Sequence, residues 1–165
     1  ARPGFRQADF FSGDPILALS IAPATLDFGA LTTGGTSSGS VVLTIETNSH
    51  TGVSITYTGA TLTCSACSGT KTVTGIGATA LASTAGTSQF GFNAIYDSGT
   101  SPTASAKAQY NTAGAYAFNS GDEVISSAGP INSTVFDLNF IANISGSETG
   151  GTYTATVVYT ATANF

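Results

Sequence analysis

Cys64 and Cys67 are the only two cysteines of the sequence, and they stand in a C-x-x-C spacing. That spacing occurs in redox-active dithiols, in zinc sites and in short structural disulfides. A zinc site needs further soft ligands, and His50 is the single histidine of the chain. A catalytic dithiol lies at a helix N-terminus, whereas strand-forming residues precede Cys64 and a Ser-Gly turn follows Cys67. We therefore predict a structural disulfide between Cys64 and Cys67, formed in an oxidising compartment.

His50, Asp122 and Glu123 are further side chains that could carry acid–base chemistry or bind a metal ion. General-base catalysis by a histidine needs a nucleophile and an orienting carboxylate close in space, whereas His50 lies in a Ser-His-Thr turn sequence. The acidic pair, together with Asn119, lacks the D-x-D-x-D spacing of a calcium loop and is predicted to lie in a solvated turn. The sequence thus predicts no catalytic residue, no bound metal and no cofactor.

Two triplets match the N-x-S/T acceptor pattern for glycosylation, at Asn132 and at Asn143. Such triplets often arise by chance in a chain that is rich in Ser and Thr. Both asparagines are candidate glycosylation sites, and O-linked sugar on the many hydroxyl side chains is an equally open alternative.

The composition indicates which elements must position these residues. Of the 165 residues, 41% are hydrophobic and 8% are charged, with a net charge of -5. Average proteins carry about a quarter charged residues, so Ser, Thr, Asn and Gly must form most of this surface, which favours strands and turns. The 4 basic residues cannot neutralise a run of phosphates, and no stretch approaches the roughly 20 apolar residues of a spanning helix. We expect no nucleic-acid partner and no membrane span.

Alternation of apolar and polar residues predicts strands along most of the chain. The clearest runs are 17–21, 41–45, 53–57, 90–96, 135–141 and 153–165. Leu26 and Phe28 predict the beginning of a further strand, and the turn sequence 48–52 predicts a hairpin that joins the runs on either side of it. Roughly seven to nine strands separated by turns indicate an all-β protein, with an antiparallel jelly-roll-like β-sandwich over residues 15–165.

Residues 1–14 differ from the rest of the chain and are predicted to form an extended N-terminal arm. The arm contains Phe5, Phe10 and Phe11, which need an apolar place to be buried. They either fold back onto their own sandwich or enter another subunit. An extended strand added to an open sheet edge satisfies main-chain hydrogen bonds while its side chains fill pockets, so the arm is a candidate donor strand. The first residue is Ala1, which we interpret as the residue left by signal-peptide cleavage.

Two stretches of the sequence carry a resemblance to a known group of proteins. Residues 21–31, IAPATLDFGAL, and residues 150–160, GGTYTATVVYT, resemble secreted bacterial surface proteins of the TasA/camelysin and WxL-like type. The resemblance implies a jelly-roll-like sandwich on the cell surface. For the TasA group it also implies a fibre subunit whose N-terminal segment completes the sheet of the next subunit. The chain contains no Trp, so the resemblance does not extend to the peptidoglycan attachment attributed to the WxL motif.

The sequence therefore predicts a structural protein and not an enzyme. Its predicted role is that of a subunit of an extracellular filament, of the pilus or biofilm-matrix type, assembled by donor-strand complementation. Its predicted partners are identical subunits in a head-to-tail homopolymer, secreted and located in the filament or on the cell surface. Two alternatives stay open. One is a monomeric secreted adhesive or carbohydrate-binding module, and the other is a secreted hydrolase whose carboxylates are brought together by folding.

Overall fold

A computed structural model describes residues 13–165, which form strands and connecting turns without an α-helix. In chain order the strands are β1 Leu17–Ala22, β2 Ser37–Thr47, β3 Val53–Gly59, β4 Thr63–Cys64, β5 Lys71–Thr72, β6 Gly77–Ala82, β7 Gln89–Gly99, β8 Ser105–Ala106, β9 Ala115–Phe118, β10 Glu123–Ser126, β11 Ile131–Asn143 and β12 Val157–Ala163. The predicted all-β class is confirmed.

Two large antiparallel sheets pack face to face as a β-sandwich. The six-stranded sheet has the order β1-β2-β11-β7-β9-β6, and the four-stranded sheet has the order β12-β3-β10-β8. The two short strands β4 and β5 form a separate ribbon. Strands β1 and β12 are therefore edge strands of different sheets, and they approach each other at one side of the sandwich.

The core lies between the sheets and is filled by alternate side chains of the central strands, as the alternation predicted. Leu43 on β2, Ile55 on β3 and Phe136 on β11 are all buried. The ring of Phe92 on β7 is at the centre, and its centroid lies 5.0 Å from those of Phe140 and Tyr110 and 4.9 Å from that of Tyr57. Full burial of one such side chain stabilises the fold by about 1.5–3 kcal/mol.

Strands β2 and β3 belong to different sheets, so the predicted hairpin between them is wrong. β2 pairs with β1 and β11, whereas β3 pairs with β12 and β10. The turn at 48–52 carries the chain from one sheet to the other, and Gly52, with φ of 80°, lies too close to the main chain of Ser127 to accept a Cβ atom. Alternation reports which side chains face the core but not which strand is the neighbour, so it cannot distinguish a hairpin from a crossing.

Leu26 and Phe28 do not begin a strand, contrary to the sequence-based expectation. They lie in the connection between β1 and β2, where their side chains are half-buried against the core. The ladder between β1 and β2 ends with Ala22 opposite Val42, so within the described chain residues 37–41 of β2 have no partner on this edge. Instead of pairing with that edge, the segment turns onto the core, where Leu26 lies over Gly39, and it keeps its inward alternation without a ladder.

Candidate functional site

The predicted disulfide is present, and it is packed against the segment that leads into β12. Cys64 and Cys67 are joined with their Cα atoms 5.6 Å apart. A Cβ atom on Gly151 would overlap the sulfur of Cys67, so only glycine fits there. Thr63, next to the disulfide, exchanges two main-chain hydrogen bonds with Thr154, of 2.8 and 3.0 Å. The disulfide therefore fixes the position of residues 150–154 relative to β4.

Asp122 and Glu123 do not form an acid pair. The carboxylate of Asp122 accepts hydrogen bonds from Tyr110 Oη at 3.0 Å and from Asn119 Nδ2 at 2.6 Å. Glu123 instead lies 3.0 Å from Lys107 Nζ. Partial burial raises the pKa of Glu123, but hydrogen bonds from Lys107 and Ser54 outweigh it, and the net pKa is lowered. The two carboxylates are each engaged by different partners.

His50 is exposed in the turn that follows β2. Within residues 13–165 there is no group of three or more His, Cys, Asp or Glu side chains placed to hold a metal ion.

A hydrogen-bonded tyrosine pair lies beneath the acidic turn. The hydroxyls of Tyr57 and Tyr110 are 3.1 Å apart, and Tyr57 Oη also accepts a hydrogen bond of 2.5 Å from the main-chain N–H of Asn119. Burial raises the pKa of both tyrosines. Because Tyr110 also binds Asp122, this network fastens the turn at 119–122 to the core.

The two candidate glycosylation sites have different environments. Asn143 is fully buried, and its Nδ2 donates to Ser83 Oγ at 2.9 Å and to Gln89 Oε1 at 3.0 Å. Asn132 is exposed on β11, and its Nδ2 donates to the carbonyl of Ser101 at 3.1 Å. Of the two, Asn132 is the one that a folded chain offers to a modifying enzyme, and its glycosylation stays a prediction.

The sandwich is incompletely closed where β1 and β12 face each other. Inward-facing side chains on these strands are only half-buried, as for Leu19 and Ile21 on β1 and for Tyr159 and Ala161 on β12. Inward-facing side chains of the neighbouring strands β2 and β3 are buried. The apolar interior therefore reaches the surface along this side.

A cleft of about 750 Å³ lies at this opening. Core residues Val41, Phe90 and Phe140 line it, together with Ile21 at the end of β1. Its two walls are the segment 23–31, which follows β1, and the segment 149–157, which leads into β12 and is continued by Tyr159. The cleft is mostly apolar and borders the edge strand β12 at Val157 and Tyr159, which suits the side chains of an added extended segment.

The wall formed by residues 23–31 is held chiefly by side chains. The ring of Phe28 packs edge to face on Phe90, with centroids 6.3 Å apart. Leu26 lies over Gly39, so closely that a Cβ atom there would be 2.5 Å from Leu26 Cδ1. Among the described residues, the hydrogen bond recorded for this segment is local, from the main-chain N–H of Gly29 to the side-chain Oδ1 of Asp27 at 2.8 Å. The cleft wall is therefore separate from the strand ladder.

Tyr159 adds a polar group to this apolar site. Its Oη atom is buried, and within the described part of the chain it has no hydrogen-bond partner. Its ring lies 5.9 Å from that of Phe92 and 6.0 Å from that of Tyr57. Burial raises the pKa of Tyr159 well above its ordinary value. The hydroxyl is thus neutral and held among aromatic rings.

The N-terminal segment joins the sandwich at the end away from the cleft. Asn48 holds it there, donating from Nδ2 to the carbonyl of Asp14 at 2.8 Å and accepting at Oδ1 from the N–H of Ile16 at 2.8 Å. β1 then runs from this turn towards the cleft, with Leu17 opposite Thr47 at its start. The predicted arm residues Phe5, Phe10 and Phe11 lie outside the described residues.

A smaller polar pocket of about 210 Å³ lies on the outer face of the six-stranded sheet. Asn139 is at its centre, accepting from Ser40 Oγ at 2.6 Å and donating to Asn93 Oδ1 at 3.0 Å. Tyr116 also lines the pocket. These side chains are uncharged, and most of their hydrogen-bonding groups are used among themselves.

Comparisons with protein-family models, with curated proteins and with solved structures give no match. In the range 13–165 we find no helix with the length and apolarity needed to cross a membrane. The cleft was not predicted from the sequence, although the alternation of Leu26 and Phe28 next to a turn was a signal that this segment lies against the core.

Proposed function

We propose that this chain is a structural subunit of an extracellular filament and that the cleft accepts residues 1–12 of the N-terminal arm of a neighbouring subunit. One observation carries the proposal. The sandwich is open, with an apolar cleft, at the end of β1 opposite to the end where the N-terminal segment joins. We also propose that the sandwich is of the jelly-roll type, and that the protein is secreted and located in the filament or on the cell surface.

The physical basis is the burial of apolar surface at an open sheet edge. Phe5, Phe10 and Phe11 each contribute about 1.5–3 kcal/mol if they become buried. The entropy lost when the arm becomes ordered and when two subunits associate opposes this gain. Main-chain hydrogen bonds at the sheet edge add to the gain. Because donor and acceptor are different surfaces at opposite ends, the contact is head-to-tail and repeats into a filament when it does not close into a ring.

The length of the arm permits both an intermolecular and an intramolecular contact. Residues 1–12 precede the described chain and span up to about 40 Å when fully extended. β1 runs over 6 residues between the joining point and the cleft, which is roughly 20 Å. The arm is thus long enough to enter its own cleft as well as that of a neighbour, and an experiment must distinguish the two.

Electron microscopy and light scattering of three full-length chains test the proposal. The natural chain is expected to form filaments, and a Phe5→Ser/Phe10→Ser/Phe11→Ser variant is expected to stay monomeric with an unchanged β-type circular dichroism spectrum. An Arg2→Ser/Arg6→Ser variant changes the same arm without removing apolar surface and is the matched control, expected to form filaments. A natural chain that stays monomeric at high concentration after mild heating contradicts the proposal, as do filaments of the triple variant.

The polar pocket supports a second candidate function, binding of a glycan by a monomeric module. Ser40 Oγ donates to Asn139 Oδ1, but both oxygens have further lone pairs that can accept from sugar hydroxyls, and Tyr116 supplies an aromatic surface. A glycan array tests it. Binding by the monomeric natural chain that is lost in Tyr116→Ala, without a change in melting temperature, favours the binding module over the filament subunit.

A further inference from the structure

The hydrogen bonds of β3 show which main-chain groups of β12 face the free edge. In an antiparallel pair, the N–H and C=O of one residue point to the same side, and this side alternates along the strand. The N–H of Tyr57 donates to the carbonyl of Asp122 at 3.2 Å, and the carbonyl of Tyr57 accepts from Gly121 at 2.8 Å. The main-chain N–H and C=O of Tyr57 therefore point away from β12. Tyr159 is the register partner of Tyr57, so the main-chain groups of Tyr159 point away from β3.

The two ends of the β3–β12 pair follow the same rule. Val53, opposite Ala163, accepts from the N–H of Ser127 at 2.9 Å, on the β10 side. The N–H of Gly59, opposite Val157, donates to Ser120 Oγ at 3.0 Å rather than to β12. By alternation, the outward-pointing main-chain groups of β12 belong to Val157, Tyr159, Ala161 and Ala163. These are also the residues whose side chains face the interior.

This coincidence determines how a strand would fit at the edge. Residues directly opposite each other on neighbouring strands have their side chains on the same face of the sheet. A strand that hydrogen-bonds to Val157 and Tyr159 therefore places alternate side chains into the cleft beside them, and the pairing continues at Ala161. Pairing with the edge and filling of the cleft are then achieved by a single extended segment.

The edge of β12 is better suited to this pairing than the edge of β1. Among the described residues, the cleft touches β1 at Ile21 and β12 at Val157 and Tyr159. Beyond Ile21 the chain's own segment 23–31 forms the wall of the cleft. Both strands pair without a register shift and contain no charge and no proline, so neither carries the devices that protect edge strands from pairing. The longer contact of β12 with the cleft is what distinguishes the two edges.

We infer that the incoming segment adds to β12 as the fifth strand of the four-stranded sheet, hydrogen-bonding to the outward main-chain groups of Val157, Tyr159 and Ala161. The inference rests on the proposed function, and it commits to residues 1–12 of a second copy of this chain as the occupant. These residues precede the chain that joins at the far end of β1, and they supply apolar side chains for the cleft.

Amide hydrogen exchange, followed by NMR, tests the inference. The acceptor is the full-length Phe5→Ser/Phe10→Ser/Phe11→Ser variant, and the probe is a synthetic peptide of residues 1–12 with the natural sequence. On saturation with peptide, exchange at the amides of Tyr159 and Ala161 is expected to slow at least tenfold. The amides of Val158 and Thr160, which point towards β3, are expected to change little and are internal controls.

Proline substitutions provide a second readout. Proline removes an N–H, which an edge strand tolerates where that N–H points outward. Ala161→Pro is expected to weaken peptide binding about tenfold, as for the loss of one hydrogen bond in an otherwise matched complex. Leu17→Pro is the matched control and is expected to leave the affinity unchanged. The carbonyl of Ile16 accepts from Asn48 on the β2 side, so by alternation the N–H of Leu17 points outward. Melting temperatures of both variants report on their folding.

The outcomes separate this inference from the proposed function. The peptide could instead slow amide exchange at Leu19 and Ile21 of β1 and leave exchange at Tyr159 and Ala161 unchanged. That result overturns the inference while the proposed function stands. Equal weakening by Leu17→Pro and Ala161→Pro also overturns it. Absence of peptide binding to the acceptor, together with absence of filaments of the natural chain, overturns both.

Discussion

At the scale of single residues, the buried tyrosines differ in how their hydroxyls are satisfied. The hydroxyl of Tyr57 binds Tyr110 and the N–H of Asn119. That of Tyr159 is buried without a partner among the described residues. Burying a hydroxyl without a hydrogen bond costs about 1–3 kcal/mol on protein mutational scales, so the two positions should respond oppositely to loss of the oxygen.

Replacement by phenylalanine separates the two roles. Tyr57→Phe leaves the hydroxyl of Tyr110 and the N–H of Asn119 with fewer partners and should lower the free energy of unfolding by about 1–3 kcal/mol. Tyr159→Phe should leave it unchanged or raise it by up to about 1 kcal/mol. Urea unfolding of both variants measures the difference. A loss of more than about 1 kcal/mol in Tyr159→Phe would show that its hydroxyl has a partner in the folded chain.

At the scale of elements, the informative segment is the cleft wall at 23–31. Its sequence alternates as a strand does, yet the ladder of β1 with β2 ends at Ala22, and the segment does not pair with residues 37–41 of β2. The wall is attached by side chains, with Leu26 inserted over the bare main chain of Gly39. Alternation predicted that Leu26 and Phe28 face the core, but it could not show that they do so from a segment outside the ladder.

Gly39→Ala should displace Leu26 from its position. A Cβ atom there would lie 2.5 Å from Leu26 Cδ1, and overpacking of this kind typically costs about 1–3 kcal/mol. Gly34→Ala, in the connection that leads into β2 and with no atom near the added Cβ, is the control and should have little effect. Thermal unfolding measures both. Leu26→Ala removes the clash, so it should lower the free energy of unfolding less in the Gly39→Ala background than in the natural chain. Strictly additive losses in the double variant would contradict the contact between Leu26 and Gly39.

At the scale of the whole molecule, the sandwich shields several tyrosines at once. Burial raises the pKa of Tyr57, Tyr110 and Tyr159. In the unfolded chain a tyrosine titrates near pH 10. The folded state keeps these protons at a pH where the unfolded state loses them, so their contribution to stability is fully present below pH 10 and declines as pH rises above it.

Alkaline unfolding should therefore be steep and coupled to tyrosine ionisation. Each of the three groups lowers the free energy of unfolding by up to about 1.4 kcal/mol per pH unit above pH 10. Absorbance of tyrosinate and circular dichroism, recorded together from pH 8 to 13, should show these three tyrosines ionising in the unfolding transition. Their ionisation while the β-type spectrum is intact would contradict the burial of their hydroxyls.

The sequence by itself determined the all-β class, the inward-facing residues of most strands and the Cys64–Cys67 disulfide. These follow from short-range patterns. A period of two determines which face of a strand is buried, and the strand- and turn-forming residues next to the C-x-x-C pair indicate a structural disulfide. The tertiary structure decided that β2 and β3 enter different sheets, that the sandwich is open between β1 and β12, and that the hydroxyl of Tyr159 is buried without a partner among residues 13–165. Each of these depends on which strands become neighbours, and alternation is the same for every choice of neighbour.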